Sequence, residues 1–414
     1  MYNDLLPQLF KTEYSKIIAV LCKLFGLPHM ETAEDIVNDT FLLAAETWSS
    51  KGIPENPSAW LYTVAKNKTK DYLRRNKIFS EKIAADLKLH QPPPEEIDID
   101  LSAANIQDSQ LKMMFAICHP AIPAEARIGL SLRILCGFGI EEIAATFLTG
   151  KETINKRLFR AKEKLRTEKI NIELPEEADI AQRLDNVLTT IYLLFNEGYY
   201  STTQHQVLRK ELCLEAMRLN YFLLENTATN TPAVNALMSL MCFHASRFEA
   251  RTSDSGAYIL YEEQDRSLWN DELISRGNYY LIESARGTTL SKYHLEASIA
   301  YWHCTKTTVK NKWENILQLY NQLLQLAYSP VTALNRTYAL SKVNGNAAAI
   351  KEAEKLALSG NHLYHSLLGY LYTGIDDGKA LQHFTSALQL AKTPTDKNVI
   401  SQYMHKITIN STGK

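Results

Sequence analysis

No stretch of this chain alternates apolar and polar residues for long enough to read as a sheet strand. Its 16 glycines and 13 prolines are sparse and gather at a few joints between segments of helical periodicity. Such a chain must bury the apolar stripe of one helix against that of another, so the expected class is all-α. At 414 residues it is too long for one ordinary core, and two or three domains are expected. A hydrophobic content of 45% with 22% charged residues fits a soluble globular protein. No apolar run reaches the roughly 18 residues that span a bilayer. The start, Met1-Tyr-Asn-Asp-Leu-Leu-Pro7, lacks a basic region followed by an apolar one, so no secretory signal is expected. Six cysteines lie far apart with no C-x-x-C pair, which implies buried reduced thiols, a cytoplasmic setting and no zinc site.

Charge is distributed unevenly. The chain carries a net charge of −1, yet Trp60–Lys77 holds Lys66, Lys68, Lys70, Arg74, Arg75 and Lys77 against Asp71 alone, a local +5. Trp60, Tyr62 and Tyr72 share the segment, and cations mixed with rings suit a surface that grips phosphates and stacks on unpaired bases. A solvated basic helix is the plainer reading of the same cations. The helix before it has Ile36, Val37, Thr40, Phe41, Ala44 and Trp48 on one face, and its other side is expected to be acidic, with Glu34, Asp35, Asp39 and Glu46. Thr32-Ala-Glu-Asp35 is expected to open that helix as a capping box. Asn56 and Pro57 are expected to cap and start the basic helix, with Leu61, Val64, Ala65 and Leu73 facing a core.

Residues 83–110 hold six acids against Lys88 and include Pro92-Pro-Pro94, which reads as an acidic linker. After it come a helix over Ala124–Cys136, a short one over Ile140–Phe147, a turn at Leu148-Thr-Gly150 and a basic helix over Lys151–Lys169. That order is a helix-turn-helix, with Ala144 and Ala145 small enough for a close crossing. Ile154, Leu158, Ala161 and Leu165 form the inward stripe of the last helix. Lys151, Thr153, Asn155, Lys156, Arg157 and Arg160 are left for a groove or phosphates, unless it is a surface helix on a bundle. Beyond the acidic joint Leu174–Asp179 the chain reads as helix pairs. Trp313-x-x-Ile-Leu-x-x-Tyr320, and Leu368-Gly-x-x-Tyr372 with Ala380-x-x-x-Phe384-x-x-Ala387, have tetratricopeptide-type spacing, as in a helical solenoid.

In this order the motifs resemble an extracytoplasmic-function sigma factor of the sigma-70 superfamily. Glu34-Asp-Ile-Val-Asn-Asp-Thr-Phe41 resembles its polymerase-binding region, and Trp60-Leu-Tyr through Asp71-x-x-Arg-Arg75 its melting and −10-reading helix. Glu141-Glu-Ile-Ala144 through Thr153-Ile-x-x-Arg157-Leu-x-x-Ala161-Lys162 resembles its −35 reader. The likeness covers about residues 1–168. The remainder resembles the subgroup with a fused helical extension, on Phe195-Asn-Glu-Gly-Tyr199, Tyr261-Glu-Glu-Gln-Asp-Arg-Ser-Leu-Trp269 and Ser329-Pro-x-x-Ala-Leu-Asn-Arg336. Gly137-Phe-Gly139 departs from the serine often found before the short helix, a change that costs about a few tenths of a kcal/mol.

The resemblance implies four segments: region 2 over 1–82, a linker over 83–107, a region 4 helix-turn-helix over 108–170, and a tetratricopeptide-like extension over 176–414. It implies promoter DNA and core RNA polymerase, through its beta-prime clamp helices and beta flap, as partners, and no membrane. A protein partner on the solenoid is a further expectation. Asn67 is then placed to hold a base that has left the stack, with Trp60 and Tyr62 supporting the opened strand and Lys66 beside them. Lys70, Arg74 and Arg75 hold phosphates, and Asp71 orients an arginine or makes a structural pair. Thr153, Asn155 and Lys156 meet base edges, while Lys151, Arg157 and Arg160 meet the backbone or groove. Phe41 with Asp35 and Asp39 is the expected polymerase contact, core packing being the alternative for Phe41.

No acid–base or nucleophile set converges, so no enzyme and no cofactor are expected. His119, His362 and His365 lack ligand spacing, and Asp254, Glu262, Glu263 and Asp265 are read as salt-bridge partners of Arg266 rather than a metal site. Asp265, Arg266 and Trp269 are candidates for contact between the extension and the sigma portion or polymerase. A promoter-specificity subunit regulated in cis by its extension is the leading function. A polymerase-independent helix-turn-helix regulator with a solenoid sensor is the alternative, and a scaffold for acidic partners a third.

Overall fold

The computed structural model describes residues 2–75, 99–147, 149–199, 210–251, 259, 261–305 and 311–412. Among them every regular element is helical, and no strand occurs. Lys77, Pro92-Pro-Pro94 and most of the acidic linker, Leu148, and Asp254 lie outside the described residues. The chain divides into compact units of residues 1–193 and 194–414.

The first unit begins with α1 (Tyr2–Phe25), α2 (Met30–Lys51) and α3 (Pro57–Arg75). A 3-10 turn, Leu27–His29, leads into α2, with His29 at its N-cap. The expected capping box at Thr32 is therefore wrong. The helix has already started when it reaches Thr32, because the turn set by Gly26 (φ 81°) and Pro28 delivers the chain in helical conformation earlier. All six residues expected on the inward face of α2 are buried. The α3 start is as read: the Ala59 N–H donates to Asn56 Oδ1 at 3.0 Å and Pro57 is the first helical residue.

Next come α4 (Ala103–Ile117), α5 (Ala124–Leu130), α6 (Ile140–Thr146) and α7 (Lys151–Thr167). The single helix expected over Ala124–Cys136 is α5 followed by a wider π-type turn, Ser131–Leu135. Gly139 lacks a capping side chain, and Glu142 supplies one in reverse, its carboxylate accepting the Gly139 N–H at 2.8 Å. The tight crossing occurs at Gly129, where a Cβ would sit 3.2 Å from Leu158. Ala144 is buried, and the side chain of Ala145 lies outside the described residues.

The segments expected as two heads on a linker pack as one unit. Lys23 of α1 donates to Asp108 (2.7 Å) and Asn105 (2.9 Å) of α4, and Gln110 donates to Ser15 at 3.2 Å. Most telling is Glu34. Its carboxylate meets Lys162 of α7 at 2.5 Å and Arg133 of the π-type turn at 3.5 Å, and Arg133 also lies over the Tyr14 ring. The three side chains are only 12–15% exposed, so the cations and the acid depend on one another for lost hydration. Helix α8 (Glu177–Tyr199) follows the joint at 174–179 and contains the unit boundary. The extension was expected from 176, but the first half of α8 belongs to the first unit. Arg183 donates to the Phe115 carbonyl (2.9 Å), and Arg127 donates to Asn186 Oδ1 (2.7 Å).

The second unit holds α9 (Lys210–Glu225), α10 (Pro232–Ala245), α11 (Asp271–Ser284) and α12 (Lys292–Cys304), then α13 (Lys312–Leu326), α14 (Pro330–Asn344) and α15 (Asn346–Lys355). It ends with α16 (His362–Tyr372), α17 (Asp377–Leu390) and α18 (Pro394–Thr412). The positions picked out by repeat spacing are the packed ones: Ile316 and Leu317 of α13, and Leu368, Tyr372, Ala380, Phe384 and Ala387 of α16 and α17 are buried. A Cβ on Gly369 would stand 2.9 Å from the Phe384 ring, so glycine lets α16 and α17 close.

Two stability measurements check this packing. Gly369→Ala should destabilise the full chain by about 1–3 kcal/mol through overpacking against Phe384, seen as a lower melting temperature. Gly360→Ala, which meets nothing within 4 Å, should not. Glu34→Ala should cost about 3 kcal/mol in denaturant unfolding, because it strands two screened cations. Asp39→Ala, which breaks the open pair with Lys68 at 3.5 Å, should cost less than about 1 kcal/mol.

Candidate nucleic-acid interface

Leu61, Ala65, Thr69 and Leu73 of α3 are spaced by four and buried, and the Thr69 hydroxyl is satisfied by the Ala65 carbonyl at 2.7 Å. This stripe turns the opposite face outward: Thr63, Asn67, Asp71, Arg74 and Arg75 are exposed, while Lys66, Lys68 and Lys70 are half-buried along its flanks. Asp71 pairs with Arg74 at 3.6 Å, which holds the guanidinium along the helix. Trp60 is half-buried, with its ring edge-to-face on Trp48 at 5.3 Å. Tyr62 is fixed differently, its hydroxyl donating to Glu13 of α1 at 2.6 Å. Burial, and then the acceptor Glu13, push its pKa above the usual tyrosine value. The Tyr72 ring packs on Phe25 at 5.6 Å. Asn67, Lys70, Arg74 and Arg75 thus share one accessible surface, with Trp60 at its N-terminal end.

Helix α7 repeats the scheme. Ile154, Leu158, Ala161 and Leu165 are buried, so Thr153, Asn155, Lys156 and Arg160 face out. Lys151 is exposed and contacts Glu141, across the turn. Arg157 is drawn aside, pairing with Glu125 at 3.0 Å over the Phe147 ring. Lys162, part of the motif quoted for the −35 reader, is committed to Glu34. Phe159, 58% exposed between these cations, escaped the sequence reading, although an apolar residue off the inward stripe marks it.

On α2 the structure corrects one expected role. Phe41 is 5% exposed, with its ring 4.9 Å from Phe10, and belongs to the core. Asp35 and Asp39 are exposed as expected, and the apolar group beside them is Leu42, 59% exposed one turn beyond Asp39. Leu42 falls outside the apolar stripe, which is the signal that could have found it.

In the second unit, Trp269 is buried, and Asp265 caps its own turn by accepting the Ser267 N–H and hydroxyl, which lower its carboxyl pKa. Arg266 is exposed, lying over the Trp269 ring. Glu262 and Glu263, expected to pair with Arg266, pair with Lys342 and Lys406 respectively. His362 lies 3.6 Å from Asp396, His365 meets His383 at 3.1 Å, and the Nδ1 of His119 accepts the Ala121 N–H. All six cysteines are buried and free, as read, and among the described residues no group of three or more His, Cys, Asp and Glu is placed to hold a metal. No helix there is long and apolar enough to cross a membrane.

Residues 9–78 match sigma-70 region 2, and residues 183–285 match a family of unknown function, DUF6596. The chain is 33% identical to an uncharacterised protein of Rhizobium meliloti over 383 residues, 89% of this chain and 88% of that one. It is 27% identical to the ECF RNA polymerase sigma-E factor of Haemophilus influenzae over 133 residues, 31% of this chain and 70% of that protein. No solved structure matches. With a cationic, ring-bearing helix inside the matched region and a helical unit continuing beyond it, the chain belongs to the extracytoplasmic-function group of the sigma-70 family, as a member with a C-terminal helical extension.

Proposed function

We propose that this chain acts in the cytoplasm as an alternative sigma factor that brings core RNA polymerase to promoters with −35 and −10 elements and helps open the DNA. The observation that carries the reading is the outward face of α3, where Asn67 lies exposed with Arg74 and Arg75 inside the stretch matched to sigma-70 region 2. In this reading Asn67 hydrogen-bonds a base displaced from the duplex, Trp60 and Tyr62 wall the opened strand, and Lys66, Lys70, Arg74 and Arg75 hold phosphates. Helices α5, α6 and α7 act as the helix-turn-helix of region 4, with Thr153, Asn155 and Lys156 at base edges and Lys151, Arg157 and Arg160 at the backbone. Asp35, Asp39 and Leu42 of α2 are offered to the beta-prime clamp helices, and region 4 to the beta flap. Phosphoryl transfer is left to the polymerase, so the chain needs no catalytic residue or cofactor.

The extension, read as a tetratricopeptide-like solenoid, regulates this activity in cis, and Arg266 is its exposed candidate for contact with the sigma portion or polymerase. Asp265 and Trp269 support that arginine from within their own unit.

Transcription in vitro with bacterial core polymerase, the full chain and a randomised promoter library tests the proposal. Defined start sites are expected. Asn67→Ala should lower initiation about tenfold, a loss within the range of a good base contact. Arg74→Ala with Arg75→Ala should reduce the salt slope of promoter binding by about 2 without changing the preferred sequence. Duplex binding without any initiation or core binding would instead establish a polymerase-independent regulator.

A further inference from the structure

The turn Tyr261–Glu263 does not stand free in the second unit. Its Glu262 and Glu263 side chains reach a row of rings and lysines supplied by α13, α14, α16 and α18, whereas the Tyr261 ring packs on Trp269 and His303 and its hydroxyl donates to the His303 carbonyl at 2.7 Å. The rings of Trp313, Tyr338, Tyr370 and Tyr403 follow one another at 5.8, 5.6 and 6.2 Å. Lys342 sits among the first three, 5.0–6.0 Å from their centroids. Its ammonium donates to Tyr370 Oη at 3.0 Å and to Glu262 Oε1 at 2.9 Å, and the Tyr338 hydroxyl donates to the same carboxylate oxygen at 2.9 Å. Farther along the row, Lys406 donates to Glu263 at 3.0 Å beside the Tyr403 ring.

The charge of this face is one-sided. The two middle inner helices, α14 and α16, contain no Asp or Glu, so the repeats offer cations and phenols there and no carboxylate of their own. An ammonium held among three rings, two of them bearing hydroxyls, is pre-organised for an anion. The resident carboxylates stay open to water: Glu262 and Glu263 are 58% and 50% exposed and Lys406 61%, while Lys342 is 24% exposed. Ion pairs this open exchange readily with competing groups.

We propose that this face of the extension is a docking site for an acidic peptide segment of a partner protein, one with adjacent carboxylates. The Glu262 and Glu263 side chains are its internal stand-in, which the partner's carboxylates displace. Lys342 is the principal reader of the first carboxylate and Lys406 of the second. The proposal stands on the second unit alone, and promoter activity does not enter it.

The test is fluorescence anisotropy of a labelled Tyr-Glu-Glu-Gln-Asp peptide with the full chain. Weak binding to the unaltered chain is expected, because the resident turn competes. The variant E262Q with E263Q should bind about tenfold tighter, since a site freed of its competitor shows its intrinsic affinity. Adding Lys342→Met should then cost about tenfold or more, and Lys406→Gln, at a position 61% exposed, should cost less but measurably. A Tyr-Gln-Gln-Gln-Asp peptide should bind far more weakly. Equal affinity for both peptides, no gain on removing Glu262 and Glu263, or no loss with Lys406→Gln would each overturn the proposal. If Lys342→Met proves unfolded by circular dichroism, Lys406→Gln alone decides.

Discussion

One carboxylate joins the two cationic helices of the first unit. Glu34 of α2 meets Lys162 of α7 and Arg133 of the π-type turn in a place where all three are largely shielded from water. A charge moved into such a place needs its partner, because neither water nor a neighbouring dipole replaces it cheaply. The consequence is geometric. The helix matched to region 2 and the second cationic helix, separated by an acidic segment in sequence, form one compact unit around that node. It also sets which cations of α7 remain outward, since Lys162 turns in while Lys156 and Arg160 stay on the surface.

The same rule sorts the rest of the polar surface. On α3 the buried stripe of Leu61, Ala65, Thr69 and Leu73 leaves Asn67 and the arginines no inward option, so a chain of net charge −1 presents two strongly positive helix faces. Local concentration, not total charge, is what a polyanion meets at short range, because salt screens the remainder within about 10 Å. On α2 the opposite sign prevails, with Asp35 and Asp39 flanking Leu42. An acidic surface with Leu42 and Leu43 exposed beside it suits a protein partner better than DNA, consistent with the division of labour proposed above.

Much of this was legible in the sequence where a single helix decides the outcome. Spacing by three and four identified the inward faces of α2, α3 and α7, and Asn56 with Pro57 marked the start of α3, because burial and capping are local consequences of residue order. The glycine at position 369 and Phe384 were picked out by repeat spacing, and they are the pair that touches. What failed was choice of partner. Periodicity showed that Phe41 belongs to the apolar face but not that Phe10 covers it. Lys162 looked like one more cation of a basic helix, since its acceptor lies 128 positions earlier in the chain. Thr32 resembled a cap because the motif ignores the turn that precedes it. Glu262 was assigned to Arg266, its near neighbour in sequence, whereas Lys342, 80 residues away, holds it.

The measurement that reaches the central claim most directly is permanganate reactivity of promoter thymines with core polymerase and the full chain. The account predicts a short run of reactive thymines around the start site that appears only when the chain is present and shrinks with Asn67→Ala. Polymerase and chain together on the promoter with every thymine still protected would contradict it, for α3 would then bind DNA without holding a separated strand.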